Sequence, residues 1–110
     1  MENQFVRVTD PGAFETLKEQ SRNRAVVIFK HSTTCPASAA AYREMLSFEG
    51  EVALVEVQRA RDLSREIERR TGVKHESPQV ILLRNGQVVW DASHFQIKSA
   101  AVAEAVANNK

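Results

Sequence analysis

The run Ala25-Val26-Val27-Ile28-Phe29 is apolar at every position and rich in β-branched residues. A run this short with no polar face predicts a central strand covered on both sides, as in parallel sheets. A second run, Glu51-Val52-Ala53-Leu54-Val55-Glu56-Val57, is nearly as apolar. Between them, Ala39-Ala40-Ala41-Tyr42-Arg43-Glu44-Met45-Leu46 favours a helix that reaches about Phe48 and is broken at Gly50. Two such strands joined through a helix make a βαβ unit, with parallel pairing and a right-handed crossover. At the turn from the first strand into the helix stands Thr34-Cys35-Pro36-Ala37-Ser38, which holds the only cysteine of the chain.

The remaining elements fall into place around that unit. Gln4 to Val8 alternates polar and apolar residues and predicts a short edge strand. Asp10-Pro11 predicts a helix start, with Asp10 as cap and Pro11 in the first helical position; Ala13, Phe14 and Leu17 follow at helical spacing. Asp62 to Arg70 reads as an amphipathic helix ended by Gly72, its charges forming a solvated face. Ser77-Pro78 opens a strand that runs to Leu83, Asn85-Gly86 signals a tight hairpin, and Val88-Val89-Trp90 returns antiparallel. Ile97 to Val106 closes the chain as a helix. The order is β-α-β-α-β-α-β-β-α: an α/β chain with a mixed central sheet flanked by helices, expected to form a single domain over residues 1–110.

Charge narrows the function. A net charge of +1, with acidic and basic residues interspersed, argues against a nucleic-acid face and against a membrane-surface helix. No apolar run is long enough to span a bilayer, and none follows the polar Met1-Glu2-Asn3-Gln4 as a secretory leader would. A cytoplasmic monomer is expected, with no nucleic-acid or membrane partner. One cysteine cannot form an internal disulfide, and His31, His75 and His94 are scattered, so no metal site is expected.

A lone cysteine is commonly a buried, inert core residue. The place of Cys35 argues otherwise. At a helix N-terminus a sulfur faces unpaired N–H groups and the positive end of the helix dipole, which favour thiolate over thiol. Thiolate is the nucleophile of disulfide exchange. Pro36 fixes the start of that helix.

Phe29-Lys30-His31-Ser32-Thr33, Thr34-Cys35-Pro36-Ala37-Ser38, Trp90 and Ser93-His94, in this element order, resemble the monothiol bacilliredoxin family of the YtxJ type, within the thioredoxin-like superfamily. The resemblance covers nearly the whole chain. One position departs: Ala37 stands where the family usually has isoleucine. The resemblance implies a thioredoxin-like fold and an oxidoreductase that removes bacillithiol, a small thiol, from S-bacillithiolated client proteins through a Cys35 mixed disulfide. Free bacillithiol would be the co-substrate, with no bound cofactor, and a bacillithiol disulfide reductase would act downstream.

The same resemblance assigns expected roles. Ser38 stands where two-cysteine relatives carry a resolving thiol, so the mixed disulfide must be resolved from outside; Ser38 also has a plain reading as a first-turn serine bonded to local backbone. Thr34 supports the site. Ser77-Pro78 would be a cis bond opposite the active-site turn, holding an extended client segment or the small thiol. Lys30 and His31 would place positive charge near the sulfur and attract the malate carboxylates of bacillithiol, or are simply a polar strand end. Ser93 and His94 are a helix cap pair or part of an anion site. Trp90 reads as packing, and His75 and Glu76 lie where a partner could touch them. Two other functions compete: an iron–sulfur carrier like the monothiol glutaredoxins, whose Cys-Gly-Phe-Ser pattern is missing here, and a non-enzymatic adaptor.

Overall fold

The computed structural model describes residues 4–110; the polar opening at Met1 to Asn3 lies outside them. The strands are β1 (Phe5–Arg7), β2 (Val26–His31), β3 (Val52–Glu56), β4 (Gln79–Arg84) and β5 (Gln87–Ser93). The helices are α1 (Ala13–Gln20), α2 (Pro36–Leu46), α3 (Arg61–Thr71) and α4 (Ser99–Ala107). The strands form one mixed sheet in the order β1-β3-β2-β4-β5. The expected succession of elements holds along the chain.

β2 is the middle strand. It runs parallel to β3 and antiparallel to β4, and all of its residues are buried. Successive side chains leave a strand on opposite faces. Val27 and Phe29 pack with Ala41 and Met45 of α2 and with Val102 and Ala105 of α4. Val26 and Ile28 pack with Phe14 and Leu17 of α1 and with Leu63 and Ile67 of α3. Each large aliphatic side chain buried this way contributes about 1.5–3 kcal/mol. Two such cores, one on each face, leave β2 little freedom in register. β1 pairs only with β3, in parallel, and forms the expected edge.

Some boundaries differ from the sequence expectation. α1 begins at Ala13, not at Pro11. Asp10 Oδ1 accepts the Gly12 N–H at 2.9 Å, and the N–H groups of Ala13 and Phe14 reach the carbonyls of Asp10 and Pro11, three residues back. The proline therefore lies in a tighter turn that winds into the helix. α2 stops at Leu46, and the buried Phe48 ring follows in a turn. The last helix starts at Ser99; the preceding His94–Gln96 forms a separate 3₁₀ turn. The hairpin is as expected, with Asn85 at φ 55° and Gly86 at φ 78°, the positive angles of a two-residue turn.

Gly72 ends α3 in the left-handed region, φ 74°, its N–H donating to the Glu68 carbonyl at 2.9 Å. A Cβ added there would meet nothing within 4 Å. The cost of Gly72→Ala is therefore backbone strain alone, about 1–2 kcal/mol, and Gly72→Asn should cost less. Urea unfolding checks this; an alanine variant as stable as wild type would show that the helix end relaxes freely.

Candidate active site

Cys35 is the residue before the first turn of α2, with an extended backbone (φ −102°, ψ 127°) and a half-buried side chain. Pro36 holds the first helical position, where its missing N–H costs nothing. The Cys35 carbonyl accepts the Ala39 N–H at 3.0 Å, so the helix ladder begins at the cysteine itself. No N–H closes a full cap hydrogen bond onto the sulfur. The thiol pKa is nevertheless held below its ordinary value, first by the Ser38 N–H; burial opposes this with the next largest effect, and the Ala37 N–H and the Ser38 hydroxyl add smaller lowering contributions. Ala37 acts here through its backbone, which any residue but proline would supply.

Ser38 is fully buried and has two tasks. Its hydroxyl oxygen accepts the Ser32 N–H at 3.1 Å, folding the loop back onto the helix start, and the same residue faces the sulfur. The Ser32 N–H is the local backbone partner expected of a first-turn serine.

The loop is also held from β3. Gln58 Nε2 donates to Ser32 Oγ at 2.8 Å and to Thr34 Oγ1 at 3.2 Å, while Gln58 Oε1 accepts the Thr33 N–H at 3.3 Å. Thr34 adds a contact to Ser32 Oγ at 3.3 Å. Gln58 was not singled out from the sequence. Its signal was positional: it follows the end of β3, the parallel neighbour of β2, and loops at the carboxyl ends of adjacent parallel strands meet.

Lys30 and His31 are the last two residues of β2, as expected of a strand end, but both are buried. They also part company. His31 faces the α2 side, its ring 5.5 Å from Phe29 and 4.9 Å from Tyr42 between centroids. Burial holds its pKa down, against Glu56 and the Ser38 backbone, so it sits neutral at physiological pH. Lys30 leaves the strand on the opposite face, with Nζ 3.2 Å from the Ser64 carbonyl and 3.1 Å from His75 Nδ1. The expectation that these two residues set positive charge beside the sulfur is corrected: one is an uncharged ring, and the other points to the α3 side. Burial lowers the Lys30 pKa to about 8, against attraction from Glu68. Burial and the Lys30 charge together lower that of His75.

The Ser77–Pro78 bond is cis. Lys30 pairs with Gln79 across the β2–β4 ladder, so continuing that antiparallel register brings Pro78 and Ser77 alongside His31 and Ser32. The Pro78 carbonyl accepts the His94 N–H at 3.0 Å, and Gln79 Nε2 ties the preceding loop through the Lys74 carbonyl at 2.9 Å. The Ser77 hydroxyl oxygen is buried without a hydrogen-bond partner among the described residues. Ser93 and His94 do not start α4. Ser93 caps the short 3₁₀ turn in a reciprocal box with Gln96, and His94 Nε2 lies 2.9 Å from Glu76 Oε1. That carboxylate, lowered in pKa chiefly by the His94 contact, occupies the place an anion would take. Trp90 packs against the α2 side of the core. Among the described residues, no group of three His, Cys, Asp or Glu side chains is placed to hold a metal ion, and no helix is long and apolar enough to cross a membrane.

Three comparisons bear on this geometry. The family model for monothiol bacilliredoxin BrxC matches residues 6–102. A solved structure provisionally described as an oxidoreductase with a thioredoxin fold superposes with a TM-score of 0.86 at 36% identity, over 94% of this chain and 95% of that one. Thioredoxin of Fasciola hepatica superposes at 0.72 with 15% identity, covering 94% and 98% of the two chains. The reduced thioredoxin pre-protein of Schistosoma mansoni gives 0.71 and 19%, covering 96% and 98%. The thioredoxins share the fold.

Two measurements follow. Ser38→Ala should raise the Cys35 pKa while leaving it below the ordinary thiol value, because the Ser38 and Ala37 N–H groups remain; thiolate absorbance against pH reads this, and an unmoved midpoint would remove the hydroxyl from the account. Lys30 supplies the second. Its folded pKa, about 8, lies below the ordinary 10.5, so across that interval the unfolded chain binds the proton and the native chain does not. Native stability gains from this group as pH rises from about 8 toward 10.5. Relative to Lys30→Met, wild type should gain stability over that window in urea melts; parallel curves would show that Lys30 titrates normally.

Proposed function

The chain belongs to the monothiol bacilliredoxin family, and from that premise we propose that it removes bacillithiol from S-bacillithiolated proteins by thiol-disulfide exchange at Cys35. The observation that carries the reading is the occupied second position. Ser38 stands one turn into α2 with its hydroxyl committed to the Ser32 N–H, and Cys35 is the only thiol of the chain. Such a site can accept a disulfide but has no internal thiol with which to discharge it.

The exchange runs in two balanced steps. The Cys35 thiolate attacks the bacillithiol sulfur of the client mixed disulfide; a new sulfur–sulfur bond forms, and the client cysteine leaves as thiolate, reduced. Free bacillithiol, as thiolate, then attacks the bacillithiol sulfur carried on Cys35. Bacillithiol disulfide is released and the Cys35 thiolate returns. A separate reductase recycles that disulfide. The lowered Cys35 pKa serves both steps, since it raises the thiolate fraction for attack and makes Cys35 the better leaving group on return. Ser77 and Pro78, beside the loop by register, are the surface on which client or thiol is held. Clients and bacillithiol are the partners, and this chain needs no resident cofactor.

A bacillithiolated client offered without free bacillithiol should be released once per protein molecule and then no more, leaving bacillithiol on Cys35 by mass. Adding bacillithiol should restore turnover. Cys35→Ser should abolish release. Wild type that gains no adduct, or a serine variant that works as well, would sink the proposal.

A further inference from the structure

The chain crosses from one face of the sheet to the other at the site. β2 leads into α2, which packs on the face of Val27 and Phe29; β3 leads into α3, which packs on the face of Val26 and Ile28. β2 and β3 are adjacent and parallel. Their exit loops therefore diverge, and a crevice opens beyond the carboxyl ends of the two strands. Ligands of open α/β sheets settle in such crevices. Here it holds a cavity of about 360 Å³ lined by Val57, Gln58, Arg61, Ser64, Arg65, Glu68 and His75. Gln58 forms the wall shared with the cysteine loop, through its bonds to Ser32 and Thr34.

The lining is cationic. Arg61 and Arg65 stand one helical turn apart on α3, on one face. Among the described residues Arg61 has no recorded ion pair, and Arg65 has only an exposed contact to Asp62 at 3.5 Å. The single carboxylate of the lining, Glu68, accepts the His75 N–H at 2.8 Å. Lys30 lies directly behind, bonded to Ser64 and His75 of the lining. Two arginine forks line an open cavity, which suits planar, doubly charged oxygen acceptors rather than an apolar group.

We propose that this cavity is the subsite for the carboxylates of the small thiol: a four-carbon dicarboxylate, here the malyl group of bacillithiol, binds Arg61 and Arg65, with Gln58 as the wall toward the loop, while its sulfur reaches Cys35. The proposal rests on the bacillithiol reading above and deepens it. It replaces the cationic role first expected of Lys30 and His31 beside the sulfur. Gln58, its amide hydrogens already given to Ser32 and Thr34, stands between ligand and loop, so its resonances sense a bound carboxylate by proximity.

The experiment follows exchange at Cys35 without any protein client. Two small disulfides are compared, bacillithiol disulfide and an uncharged one such as hydroxyethyl disulfide, and the ratio of their rate constants is read. Each arginine makes a charge-assisted contact, so Arg61→Ala and Arg65→Ala should each lower the ratio about tenfold. Arg22→Ala, on the turn after α1, should keep it. In the wild-type protein, L-malate should shift the Gln58 side-chain amide resonances saturably and compete with bacillithiol disulfide. An unmoved ratio in folded arginine variants, or malate shifts that bypass Gln58, overturns the subsite. Variants that slow only protein clients overturn it too, since the cavity would then dock client side chains. Wild type that takes up no bacillithiol from its disulfide brings down the functional reading instead.

Discussion

β2 is buried on both faces along its whole length, and the rest of the structure follows from that burial. It demands a helical layer on each side, which α1 with α3 and α2 with α4 supply. It also places the end of the strand inside the protein. Two polar residues, Lys30 and His31, are carried into the interior because the strand that holds them cannot surface until Ser32. The two meet that desolvation differently. His31 stays neutral between two aromatic rings, with Nδ1 buried and unpartnered among the described residues. Lys30 finds a carbonyl and an imidazole nitrogen and gives up part of its basicity. The cysteine loop begins only where that burial ends, and this fixes the sulfur at the rim.

Much of the fold was legible in the sequence because it rested on patterns that burial enforces. The apolar runs of β2 and β3, the Asn85-Gly86 turn and the Gly72 stop each express a local rule that the tertiary structure did not overrule. The helix starts were less legible. Pro11 looked like a first helical residue, yet the helix waits until Ala13 because Asp10 and Pro11 close a tighter turn first. The final helix waits until Ser99 for a comparable reason: Ser93 has Gln96 as its box partner in a turn of its own.

The candidate site was legible in its chemistry and less so in its arrangement. Cys35, Pro36 and Ser38 are adjacent in sequence, and the start of one helix brings them together. The sides on which Lys30 and His31 point were hidden, because the period of a strand says that neighbours oppose each other but not which of them meets the sulfur. Gln58 was hidden for a deeper reason. It is brought to the cysteine loop by parallel pairing between strands far apart in sequence, and a glutamine beyond a strand carries no signal until its neighbour strand is known.

The hydrogen bond from the Ser32 N–H to Ser38 Oγ has a consequence for how such a protein changes over time. In two-cysteine relatives the same place holds a thiol, a weak acceptor. Placing a cysteine here would leave a loop amide without its oxygen, so a one-letter change does not make a second working thiol; the loop would have to be rebuilt with it. With Cys35 as its single thiol, the chain itself holds no second sulfur on which such a loop could be rebuilt.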